Sequence, residues 1–123
     1  MAKILTPEQF RECPRGTVFA FGGEWHFGNM LILDDFMGPY KNGGWGFYAC
    51  DPMWVDSGDS WEAFERLNLM KSTGASFPSE TASTKYMNYD GAQMDLFIVL
   101  EQSDWLAMRA VVEKSFTQKE RDQ

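Results

Sequence analysis

Five consecutive apolar residues, Leu96-Phe97-Ile98-Val99-Leu100, constrain this chain more than any other segment. A strand sends successive side chains to opposite faces, so an uninterrupted apolar run has no polar face to offer water. The block must be covered on both faces or lie centrally in a sheet, with the other strands arranged around it. Its β-branched and aromatic residues favour strand over helix.

The rest of the chain supplies the neighbours. Thr17 to Phe21 has strand content, and Gly22-Gly23 can adopt the positive φ of a tight turn. A second strand is expected from Trp25 to Leu33, with Gly28-Asn29 as a bulge. Residues 34–44 are rich in Gly, Pro and Asn and read as a loop feeding a third strand, Trp45 to Cys50. Lys85 to Tyr89 reads as a strand, Asp90-Gly91 as a hairpin turn, and Met94 to Glu101 as the strand that contains the apolar block.

Three helices are expected. Thr6-Pro7-Glu8-Gln9 combines an N-cap, a proline at the first helical position and a Gln that can complete a capping box. Asp59-Ser60-Trp61-Glu62 is a second capping box, followed by the spaced apolar residues Trp61, Phe64, Leu67 and Met70. Ser103 caps the last helix, whose apolar face carries Trp105, Met108, Val111, Val112 and Phe116. Residues 71–83 read as a loop and 117–123 as a frayed, charged tail. The order α-β-β-β-α-β-β-α predicts one α+β domain over 1–123, an antiparallel sheet of about five strands with helices on one face.

A chain of 123 residues with 44% apolar and 15% aromatic residues has enough material for a core and no room for a second domain. No apolar run approaches the ~20 residues that span a membrane, and the acidic residue at position 8 argues against a secretory signal. The net charge of −7 lacks the basic footprint of a duplex nucleic-acid binder and is repelled by acidic membranes. The same charge can attract a basic protein surface. Cys13 and Cys50 match no metal or redox spacing and read as idle thiols, as in a reducing cytoplasm.

Catalytic signals are weak. His26 is the one histidine and could serve as a base for Cys13 or Cys50, but no nucleophile elbow accompanies it. Asp51, Asp59 and Glu62 fall at the first, ninth and twelfth positions of a calcium loop. Met53 and Val55 cannot coordinate, however, and Asp56 stands where the sharp turn wants glycine. A looser carboxylate site of Asp51, Asp56 and Asp59 is the alternative, but a turn and a helix N-cap explain Asp56-Ser57-Gly58-Asp59 without an ion. Lys71-Ser72-Thr73-Gly74 lacks the glycine spacing and setting of a phosphate loop. No catalytic residue, metal ligand or cofactor is therefore assigned.

The aromatics are the unusual feature: five Trp, four Tyr and ten Phe, many of them around the glycine-rich 38–46 loop. Core packing explains part of this. The rest can line a concave site or anchor an interface, where Trp and Tyr are enriched. Tyr40, Trp45 and Trp54 stand beside turn residues and are expected to be exposed. With Lys41, Trp25 and His26 they form the candidate binding set, in which rings could stack a nucleobase and Lys41 could meet a phosphate.

Several segments carry a resemblance: Ile4 to Phe10, Pro14-Arg15-Gly16-Thr17-Val18-Phe19, Phe27 to Ile32, Gly46-Phe47-Tyr48, Asp56-Ser57-Gly58 and Met94 to Glu101. Together they cover most of the chain, and the chain resembles a family of small uncharacterised bacteriophage and prophage proteins. Asp90-Gly91-Ala92-Gln93 is less acidic than the corresponding family segment. The resemblance implies a phage-borne accessory protein in the cytoplasm of a bacterial host and transfers no catalytic residue.

These readings converge on a non-enzymatic accessory protein, an inhibitor of a bacterial defence system that binds a host protein through an aromatic and acidic surface. The alternative is a sponge that holds a nucleotide-like small molecule in an aromatic pocket, with a homodimer able to combine two copies of the site. An enzyme is the third reading.

Overall fold

The computed structural model describes residues 1–23, 26–83 and 86–121. Among these residues six strands form one sheet: β1 (Lys3–Leu5), β2 (Val18–Gly22), β3 (Leu31–Met37), β4 (Gly46–Cys50), β5 (Met87–Asp90) and β6 (Leu96–Val99). Three α-helices accompany them, α1 (Pro7–Phe10), α2 (Ser60–Thr73) and α3 (Gln102–Arg121), with 3-10 turns at Glu80–Ala82 and Gly91–Gln93. The strand order is β1-β6-β2-β3-β4-β5 and every neighbouring pair is antiparallel. This is the α+β domain the sequence predicts, with one strand more than the five expected.

The apolar block becomes β6, and it is an internal strand. Its Ile98 pairs with Ile4 of β1 on one side and Ala20 of β2 on the other. The extra strand is β1, a three-residue segment that β6 recruits as an edge.

A short connection forces the sheet to curl. β5 and β6 stand four strand spacings apart, ~19 Å in a flat sheet at about 4.8 Å each. Only residues 91–95 join them, and three of these form a 3-10 turn instead of an extended link. The sheet meets the demand by wrapping. Phe21 of β2 and Tyr89 of β5 bring their ring centroids to 5.5 Å although β3 and β4 lie between their strands.

The wrapped face holds the core. Phe10 of α1 is fully buried there and stacks on Phe97 of β6 at 3.9 Å and 3°, with Phe19, Phe36 and Phe47 also in ring contact. The Thr6 box that starts α1 closes in both directions. Gln9 N–H donates to Thr6 Oγ1 at 3.3 Å, and Thr6 N–H donates to Gln9 Oε1 at 2.9 Å.

A bulge between Leu33 and Asp35 explains the largest departure from expectation. Leu31 and Leu33 are buried in alternation; without the bulge Asp35 would follow them inward. The extra residue instead places Asp35 opposite Tyr48 and Phe36 opposite Phe47, so an aromatic ring enters the core and the carboxylate does not. The second strand therefore runs Leu31–Met37 where Trp25–Leu33 was expected, and residues 34–37 are strand, not loop. Other corrections are smaller. Asp90-Gly91 does not turn a hairpin, because β5 and β6 are not neighbours. α2 continues to Thr73 before Gly74 ends it at φ +73°. α3 runs on through residues 117–121, in the segment read as a frayed tail.

Candidate functional site

The loop at residues 38–45 is built by its own backbone. Tyr40 N–H donates to the Gly44 carbonyl at 2.7 Å, Gly43 N–H to the Tyr40 carbonyl at 2.9 Å, and Gly44 N–H to Asn42 Oδ1 at 2.9 Å. Gly38 and Gly43 take positive φ, which side-chain-bearing residues adopt reluctantly. Tyr40 and Lys41 are carried on the outside of this loop, both exposed. Between the loop and β5 lies a cavity of about 410 Å³, lined among others by Tyr40, Asn42, Trp45, Asn88 and Asp90.

Trp45 is not the exposed platform that the sequence suggested. It is only 8% exposed and makes ring contacts with Phe36, Phe47 and Phe97. Its indole lies against Gly91, and the Arg11 guanidinium sits 5.3 Å from its centroid. Core contacts and a cation thus occupy the ring that was to stack a base. The turn residues beside it concealed this, because Gly44 and Gly46 suggested a loop tip while Gly46 already belongs to β4. Of the predicted set, Tyr40 and Trp45 line this cavity; Lys41, Trp54 and His26 do not. His26 is exposed, with its carbonyl accepting from Gly23 N–H at 3.2 Å. Trp25 lies outside the described residues.

Trp54 belongs to a second concave region. The stretch after β4 is held by a short antiparallel ladder: Glu80 N–H donates to the Trp54 carbonyl at 2.8 Å, and Asp56 N–H to the Pro78 carbonyl at 2.8 Å. α2 starts immediately afterwards. Asp59 Oδ1 accepts from Glu62 N–H at 2.8 Å, but Glu62 reaches one residue beyond the expected box, to Gly58 N–H at 3.2 Å. Together these elements enclose about 270 Å³, with Trp54, Ser60, Ala63, Glu80 and Tyr86 among the lining residues.

Glu80 is a residue that sequence reasoning passed over, in a segment that looked like a polar loop. It is 4% exposed, and its Oε1 accepts from Asp51 N–H at 3.2 Å. Burial pushes its carboxyl above the ordinary range, and the Asp51 and Asp56 carboxylates add to the push. Burial also raises the Cys50 thiol to about 11, with Glu80 and Asp51 contributing, and raises Cys13. Both thiols are free and protonated at neutral pH, so neither is poised as a nucleophile.

The acidic residues of the calcium-loop spacing have local partners. Asp51 Oδ1 accepts from Met53 N–H, Asp59 caps α2, and Glu62 pairs with Arg66 at 2.7 Å. Among the described residues no three His, Cys, Asp or Glu gather as a metal-binding group. No described helix is long and apolar enough to cross a membrane.

The strongest surface feature is on α2. Trp61 is 69% exposed and Phe64 58%, their rings stacked at 6.2 Å and 28°. Met53 is exposed in the segment leading into this helix. Asp59 and Glu65 are exposed on the helix or at its cap, and Glu62 is half-buried. The apolar spacing of Trp61, Phe64 and Met70 was legible in the sequence; their exposure was not, since spacing alone cannot tell a face turned to the core from one turned to water. Comparison with known proteins returns no match: no family model, no curated protein and no solved structure.

Proposed function

We propose that this chain is a non-enzymatic binding protein that docks a partner protein of basic surface through α2. The stacked, solvent-facing pair Trp61 and Phe64 carries the reading. Large apolar rings left in water are a standing cost that a partner's surface removes, and buried Trp anchors dominate interface energetics. Asp59 and Glu65 beside the pair give the patch an acidic border that favours a basic partner and speeds its encounter. The buried, protonated Cys50 thiol and the locally satisfied Asp51 and Asp59 carboxylates favour binding over turnover. The resemblance to small phage proteins adds a setting, an accessory protein that inhibits a bacterial defence component by occupying its surface.

Affinity capture from a bacterial lysate tests this, with wild type beside a Trp61→Ser/Phe64→Ser variant. A retained protein with a basic surface, released by rising salt and lost from the variant, is the expected result. Losing one such anchor should cost about 2 kcal/mol or more, roughly 30-fold in affinity. Retention that survives the double substitution refutes the reading. A second reading, a nucleotide-like ligand at the 38–45 loop, draws on the 410 Å³ cavity with Asn42, Asn88 and Asp90 in its wall. Calorimetric titration with nucleotides, in wild type and Tyr40→Ala, tests it; absence of saturable heat removes it.

A further inference from the structure

The cavity between Trp54, the first turn of α2 and Glu80 has a chemistry that neither fold nor docking surface requires. Its wall includes the aromatic rings of Trp54 and Tyr86 and the apolar Ala63 and Met87. Glu80 also lines it, a carboxyl group more than nine-tenths buried. No Lys or Arg among the described residues pairs with Glu80. Arg66 of α2 is engaged elsewhere: it pairs with Glu62, donates to the Asp56 carbonyl and lies over the Phe77 ring at 4.9 Å. A buried carboxylate without a cation is costly, and the negative groups nearby deepen the cost.

Aromatic walls around a buried carboxylate suit one ligand class. An ammonium or guanidinium on an apolar stem would lay its methylenes along the rings, draw on cation–π attraction and give the carboxylate its counter-charge. A carboxylate has about four acceptor positions, so the backbone N–H bonds from Asp51 and Met87 leave capacity for another donor. The size agrees: about 270 Å³ falls just under the ~300 Å³ lower end of drug-sized sites, which is side-chain scale. Ser60 of this wall and Phe64 of the exposed pair are one helical turn apart, so cavity and patch form a continuous surface.

We propose that this cavity receives a Lys or Arg side chain of the protein that docks on α2, an inference that rests on the docking role of Trp61 and Phe64. The partner's basic side chain enters beside the aromatic pair, and Glu80 fixes its charged head.

The test is a titration of the ¹⁵N-labelled protein followed through the Trp54 indole N–H, assigned with Trp54→Phe. The probes are Nα-acetyl-arginine methylamide and its neutral counterpart Nα-acetyl-norleucine methylamide. The arginine probe should give a saturable shift at millimolar concentration and the norleucine probe none. Glu80→Gln should weaken arginine binding about tenfold or more, the scale of a charge-assisted bond. Should Glu80→Gln fail to fold, Ser60→Leu keeps the test: Ser60 is exposed, and a leucine there blocks the mouth. Equal shifts from both probes, no saturable shift up to ~100 mM, or wild-type affinity in both variants would each overturn the proposal. A shift that appears only in Lys85→Met would hand the cavity to the chain's own lysine and overturn it too. Trp61→Ser separates the two readings. Undiminished arginine binding without any α2-dependent partner sinks the docking role alone, and a Trp61-dependent partner without arginine binding sinks the cavity alone.

Discussion

Replacing Gly91 by alanine measures how firmly Trp45 is held. A Cβ at this position would lie 2.5 Å from Cδ2 and Cε2 of the indole and 2.6 Å from Cε3. Carbon atoms rest about 3.5–4.0 Å apart, so something must move by about 1 Å. The indole has little freedom to move, being 8% exposed and in contact with Phe36, Phe47 and Phe97. The turn has little either, because Gly91 N–H donates to the Trp45 carbonyl at 2.9 Å and residues 91–95 are the short link across the sheet. Overpacking of this kind costs ~1–3 kcal/mol, and with both partners tethered the upper half of that range applies. For a domain of this length that lowers Tm by roughly 5–10 °C. The sign itself is diagnostic: an alanine accepted without strain would stabilise by ~0.4–1 kcal/mol through the unfolded chain. Urea unfolding of Gly91→Ala should show a lower midpoint at unchanged slope. Repeating the substitution in a Trp45→Phe background should recover at least ~1 kcal/mol of the penalty, since the smaller ring vacates part of the contact. An alanine variant as stable as wild type, or an equal penalty in both backgrounds, would refute the packing argument.

Other outcomes follow from the same structure. Phe10→Ala should lose ~3–5 kcal/mol in equilibrium unfolding, because it removes the ring stacked on Phe97 at the centre of the core; a loss under ~1 kcal/mol would show that α1 is dispensable. Trp61→Ser should change stability by no more than about ±0.5 kcal/mol, as its ring is largely in water; a larger loss in a thermal melt would mean that α2 leans on it. Glu101 is held down to about 2 by Lys3 and the amino terminus, against an ordinary 4.5. A depressed carboxyl supports the fold above its unfolded value and loses that support as pH falls from about 4.5 towards 2. Glu101→Gln should therefore flatten the stability profile across that window, while an unchanged slope would show the ion pairs to be silent. In the folded protein Cys50 should resist a thiol reagent at pH 8 until unfolding exposes it; fast labelling would contradict its burial.

The sequence revealed those features whose physics is local. The Thr6 box, the Asp59 cap and the internal place of the apolar block follow from neighbouring residues, and each appears in the structure. Features set by distant residues were hidden. β1 is too short to announce itself and exists because β6 offers it an edge. Asp34-Asp35 looked like a loop because polarity signals solvent, while a bulge lets the strand continue with both carboxylates outside the buried core. The site divided in the same way. Exposure at Tyr40 and Trp54 was legible from turn chemistry, and the burial of Trp45 was not, since it depends on Gly91 from a segment 46 residues later. Glu80 gave no local signal at all; its burial is created by Trp54, Asp51 and α2 folding around it.

The internal position of β6 also bears on how the chain is made. β1 and β2 each pair with β6, so β1 has no partner and the β2–β5 part of the sheet keeps an open edge until residues 96–99 have left the ribosome. Until then Phe10, Phe19 and Phe47 lack Phe97, the ring they gather around. Translation thus leaves nearly four-fifths of an aromatic-rich chain waiting for one strand. A stall or premature stop before Leu96 would release an unfinished product with exposed rings, material for chaperones and proteases rather than a partly working protein.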